Sequence, residues 1–106
     1  METQIYRQGD VICKRLSRSL DIEGGKEDPN LTLAYGEVTG HSHRITEGRA
    51  NLYRLVNGVV ILRVLSEYAK LYHEEHEDLM LPKGDYEVLK QREYDWQNEV
   101  NRDVAD

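Results

Sequence analysis

The chain has 106 residues, 39% apolar and 32% charged, with a net charge of −6 when its histidines are neutral. That length fits one domain with one core of moderate size. The acidic balance excludes a wide basic face for coating long DNA or RNA, although a few of the 14 Lys and Arg residues can still line a local pocket.

The expected class is mainly β: a small single-domain β-barrel or β-sandwich over residues 1–106, ending in a short C-terminal helix or tail. In chain order, residues 4–16 read as a strand through Ile5, Tyr6, Val11 and Ile12, with Gly9-Asp10 as a bulge or tight bend. Cys13 reads as a small buried residue, and a lone cysteine permits no internal disulfide, so a reducing, cytoplasmic setting is expected. The N-terminus has no apolar signal-peptide core, and no apolar run reaches the length of a membrane span, so no membrane partner is expected. Residues 17–30 carry Gly24-Gly25, Pro29 and several charges, which predicts a long surface loop.

Residues 31–38 should form the next strand, followed by a bend between Gly36 and Gly40. Leu52, Tyr53, Leu55 and Val56 lead into Asn57-Gly58, the signal for a two-residue type I′ hairpin, and the apolar run 59–65 returns through the core. Residues 66–73 make another strand and 79–81 a short one. Pro82-Lys83-Gly84-Asp85 reads as a turn because Pro82 fixes φ and Gly84 permits φ > 0. Residues 86–94 form the last strand, and 96–106 the helix or tail.

Four clusters can carry chemistry. In Gly40-His41-Ser42-His43-Arg44, alternation along a strand would aim His41 and His43 into one pocket. Two imidazoles at that spacing suit either a metal ion or an acid–base pair. In His73-Glu74-Glu75-His76, an extended segment would send only one of the two histidines to that pocket, and His76 is the expected one. The carboxylates Glu74, Glu75, Glu77 and Asp78 would ligate a metal or orient a ring; a solvated acidic loop accounts for them equally well. Arg92 and Tyr94 share a face of the last strand and would hold phosphate and stack on a base, unless the charges only protect an edge strand. Tyr6-Arg7-Gln8-Gly9-Asp10 offers an arginine, an amide and a glycine bend. There is no P-loop, dinucleotide fingerprint, Cys-x-x-Cys pair or nucleophile elbow.

The strings YRQGDV, LAYGEVTGHSHRI, HEEH, LPKGDYEVLKQREYDW and VAD resemble a family of small, uncharacterised prokaryotic and phage-encoded proteins, with GEVTGHSH and QREYD as the specific motifs. The resemblance leads on to CRISPR-linked ring nucleases, which degrade cyclic oligoadenylates. Separately, G-H-x-H followed by P-x-G looks like part of the cupin metal pattern, without a well-placed glutamate and without a histidine after Gly84.

Three functions follow. The first is a cofactor-free phosphodiesterase or ribonuclease acting on a small nucleotide or RNA-like ligand. His41, His43 and His76 would be its acid and base, and Arg44, Arg92, Tyr94 and Lys83 would bind substrate. The second is a cupin-like metal protein holding Zn, Mn or Fe through His41, His43, His76 and Glu75 (or Glu77). The third is a non-catalytic interaction module with an acidic face. A homodimer that covers a sheet edge suits any of them.

Overall fold

The computed structural model describes residues 4–18, 22, 25–35 and 40–91, and the expected C-terminal helix or tail, with Arg92 and Tyr94, lies outside them. Among the described residues there are eight strands and no helix: β1 (Ile5–Gln8), β2 (Val11–Arg15), β3 (Lys26–Asp28), β4 (Thr32–Tyr35), β5 (Ser42–Glu47), β6 (Ala50–Arg54), β7 (Val60–His73) and β8 (His76–Lys90). They form one antiparallel sheet in the order β1-β2-β8-β7-β5-β4. β6 extends the β5 edge along β7, and β3 pairs with β6. The sheet is open and curled, a half-barrel rather than a closed barrel or a two-sheet sandwich.

The frame is a meander of three long runs. β5 and β6 follow one another along β7, with Gly48-Arg49 between them, and β8 covers the other side of β7. The β6–β7 connection differs from the two-residue turn expected at Asn57-Gly58. Leu55 N bonds Val59 O at 2.9 Å, Gly58 N bonds Leu55 O at 3.0 Å, and only Gly58 has a positive φ, 88°. A type I turn followed by one left-handed residue is the three-residue alternative. It leaves Asn57 at negative φ, where its Oδ1 accepts from Val59 N at 3.1 Å.

The segment read as strand, turn and strand over 79–94 is instead continuous β8. Pro82-Lys83-Gly84 forms a corner inside the strand: β7 spends three residues, 65–67, between Val64↔Gly84 and Tyr68↔Pro82, where β8 spends one. A bulge bends a strand without ending it. Proline removes a ladder donor there, and the Tyr86 hydroxyl bonds the Pro82 carbonyl. The loop expected over 17–30 contains β3, three residues of strand with little apolar signal, fixed by pairing with β6.

Inside the curl, Val11, Cys13, Leu33, Leu52, Leu62, Val64, Leu71, Leu81 and Tyr86 form the core. Burial pushes the Cys13 thiol up to about 12, so it stays protonated and packs as a small hydrophobe. On the reverse face, Asp85 is buried and takes a two-pronged ion pair from Arg63 at 2.9 Å. No helix among the described residues is long and apolar enough to cross a membrane.

Candidate metal centre

The core face ends in histidines. Along β7 the inward positions run Ala69, Leu71, His73, so His73 continues the apolar stripe as its polar tip. Residues 73–76 are neither one strand nor a helix. Glu74-Glu75 is a two-residue connection, and His73 and His76 face each other across it as the last pair of the β7–β8 ladder. Strict alternation would put His76 with the exposed Met80, but the register slips by one between Leu71↔Leu79 and His73↔His76. A one-residue slip turns a side chain to the other face. Both histidines therefore join the site, where alternation along a single strand admits only one.

β5 supplies the rest. The His43 ring lies 4.3 Å from that of His73 and 6.0 Å from that of His76, while His41 meets His73 edge-on at 5.7 Å. His73 and His76 are 4.7 Å apart, so the four rings make one contiguous group. The corner in β8 folds the β1–β2 turn over this group. A methyl group at Gly9 would sit 2.5 Å from His76 Nε2, and Gly9 has φ +58°. Gly9→Ala is accordingly expected to cost at least about 1–2 kcal/mol from the left-handed backbone alone. It should also push His76 aside, which urea unfolding together with the His76 ring resonances will show.

Hydrogen bonds fix several protonation states. Gln8 Nε2 donates to Leu71 O at 2.9 Å and to Glu77 O at 2.8 Å, two carbonyls flanking the register slip. Its Oε1 is thereby turned to His43 Nδ1 at 2.9 Å. His73 Nδ1 accepts from Glu75 N at 3.0 Å, so the lone pair of a neutral His73 lies toward the Glu74-Glu75 turn. The buried His43 is pushed down to about 4, first by desolvation and then by the His73 ring, against the raising influence of Asp10. It is neutral at pH 7.

Glu74 is held at its tip. Oε1 accepts from Ser42 N at 3.0 Å and Oε2 from Arg44 Nη1 at 2.8 Å, which lowers the carboxyl to about 2, with the Arg44 bond the largest cause. Arg44 also bonds Ser42 Oγ at 2.9 Å and lies over the Tyr72 ring at 4.7 Å. Its guanidinium, expected to hold substrate, instead holds Glu74. Lys83 is exposed at the β8 corner beside Arg15, outside the residues around the histidines.

One donor set is ready for a cation. His41, His73 and Glu74 place a ligand atom each within 4.8 Å of one another. A tetrahedral ion with bonds of about 2.0–2.1 Å needs its ligands about 3.4 Å apart, so small side-chain rotations would close the set. His41 Nδ1 is buried without a hydrogen-bond partner among the described residues; the nearest carboxylate oxygen, Glu75 Oε1, is 3.6 Å away. Leaving such an atom unpaired costs about 1–3 kcal/mol, which a bound cation would recover. The expectation of a site with no metal is overturned by this arrangement. The ligand set also differs from His41, His43, His76 and Glu75: His73 takes the place of the other two rings, and Glu74 that of Glu75. The sequence favours His76 over His73 by its nearness to the Leu79 strand, and the two-residue turn Glu74-Glu75 carries no glycine or asparagine to announce a hairpin.

The model of an uncharacterised family, a domain of unknown function designated DUF8820, matches residues 7–91. The chain belongs to the DUF8820 family. No curated protein and no solved structure matches it. The DUF8820 match takes in Gln8, Asp10 and all four histidines, so the whole centre lies within the family domain; Arg92 and Tyr94 fall just beyond it.

Proposed function

We propose that this DUF8820 domain binds a divalent transition metal through His41, His73 and Glu74 and uses it as a Lewis acid at the open end of the curled sheet. The supporting observations are that His41, His73 and an ionised Glu74 each place a ligand atom within 4.8 Å of the others, and that His41 Nδ1 is buried with no hydrogen bond among the described residues. Two nitrogens and one oxygen suit Zn²⁺, Mn²⁺ or Fe²⁺, and three protein ligands leave a coordination position for water or substrate. When bound, such an ion polarises a carbonyl or phosphoryl oxygen or acidifies a water. The chain's own part is to hold the donors. Arg44 and Ser42 N fix Glu74, and His73 would give up the bond that its Nδ1 accepts from Glu75 N when a ring lone pair turns to the ion.

Phosphodiester cleavage, the reading that the ring-nuclease resemblance carries, fits this site in a metal-dependent form. Glu74, Glu75 and Asp10 lie against the histidines, and Arg44 is neutralised by Glu74. An anionic substrate therefore needs the charge of the ion to approach. The test is a titration of chelator-treated protein with Zn²⁺ and Mn²⁺, followed by incubation with labelled cyclic oligoadenylates. Saturable binding of which His41→Ala and Glu74→Gln lose one equivalent supports the metal centre, and folded wild type that binds neither ion refutes it. Cleavage restored by metal supports the phosphodiesterase, and bound metal without cleavage removes that substrate class alone.

A further inference from the structure

His43 has a second nitrogen whose surroundings the first metal site does not explain. The Gln8 amide settles its tautomer. Gln8 Nε2 donates to two carbonyls, which can only accept, so Oε1 must be the atom facing His43 Nδ1 at 2.9 Å. An oxygen there accepts, so Nδ1 carries the hydrogen and Nε2 of the neutral ring is a bare lone pair. That lone pair faces Asp10 Oδ1 at 3.4 Å.

An imidazole lone pair and a carboxylate oxygen repel unless something positive lies between them. The ring is buried, with the His73 ring tilted against it at 4.3 Å. A cation is well placed. Two ligands about 2.0–2.1 Å from one ion at a tetrahedral angle stand about 3.4 Å apart, which is the separation found. His76 lies nearly parallel to His43, at 15° between ring planes, with Nε2 against Gly9 and so next to Asp10 in the chain. It is a further imidazole on the Asp10 side of His43.

We propose that the centre takes a second divalent ion, bound between His43 Nε2 and Asp10 Oδ1. The total of two rests on the first site, whereas the His43–Asp10 ion stands on its own geometry. One nitrogen and one oxygen again select a borderline transition ion such as Zn²⁺. Asp10 is more than half exposed, so the ion sits where the polar end of the core meets solvent, with free positions for water or a small anion such as phosphate. Gln8 is a positioning residue: it holds the tautomer that leaves Nε2 able to bind metal.

The test is isothermal titration of chelator-treated protein with Zn²⁺, comparing wild type, Asp10→Asn and His41→Ala. Two equivalents in wild type and one in each variant is the expected result. One equivalent in wild type, kept by Asp10→Asn and lost by His41→Ala, overturns the second ion and leaves the first standing. Two equivalents in both wild type and Asp10→Asn overturn the assignment to Asp10, and no binding at all overturns both sites. Long-range ¹H–¹⁵N spectra of the histidine rings give a readout independent of stoichiometry. His43 should carry its proton on Nδ1, and its Nε2 resonance should move on addition of Zn²⁺. An Nε2–H tautomer overturns the proposal.

Discussion

Zinc added to chelator-treated protein should stabilise it by about 4 kcal/mol once free zinc exceeds the dissociation constant a thousandfold. The gain follows from linkage, because the donors come from the start of β5 and the β7–β8 turn, which unfolding separates. His41→Ala and Glu74→Gln should remove the part that comes from this site and keep whatever an ion at His43 and Asp10 adds; His41, a quarter exposed, should cost little in the metal-free protein, whereas Glu74→Gln also loses the Arg44 ion pair. His41→Ala also deletes the unpartnered Nδ1, so the metal-free variant should be no less stable than wild type. Thermal and urea unfolding in chelator and in zinc separate the two effects. An equal response to zinc in wild type and both variants would place the ion elsewhere.

The strands were legible where their residues announce them. Hydrophobic alternation located the strands around Ile12, Leu33, Leu52, Ile61 and Leu71, and the bend at Gly9-Asp10 is the β1–β2 turn. What stayed hidden is what depends on pairing. β3 has no apolar signal of its own and exists because β6 offers it a ladder. Pro82 and Gly84 mark a change of direction in sequence, but only the residues opposite them, Leu65 to Glu67, make it a corner rather than a turn.

The site divides along the same line. His41 and His43 were legible as neighbours because H-x-H is local. They nonetheless do different jobs: His41 turns to His73 and the acidic turn, and His43 to Gln8 and Asp10. That His76 joins them depends on a one-residue slip that no residue type encodes. Gln8 and Asp10 lie more than thirty positions from His43, and the curl of the sheet brings them there. Arg44 shows the converse: its charge was legible, but the partner that consumes it was not.

Acid should destabilise the metal-free protein in a window set by His43. In the unfolded chain a histidine takes up its proton near the ordinary 6.5, whereas in the folded protein burial and the His73 ring hold His43 down to about 4. Between those values the unfolded state binds more protons, so stability rises with pH there and is lost as pH falls. The contribution is complete above pH 6.5 and gone below about 4, and at about 1.4 kcal/mol per pH unit it amounts to about 3 kcal/mol. Glu74 acts in a lower window. Its carboxyl, lowered from 4.5 to about 2 by Arg44, contributes stability above that range and loses it only as pH falls through it. Urea unfolding in chelator at half-unit steps from pH 7.5 to 4.5 measures the first window, with His43→Gln as the reference because an amide neither gains a proton nor leaves Gln8 without a partner. The wild type should lose about 3 kcal/mol more than the variant across it. Parallel curves for the two proteins would show that His43 does not titrate low, and with it the account of a ring held neutral by burial would fail.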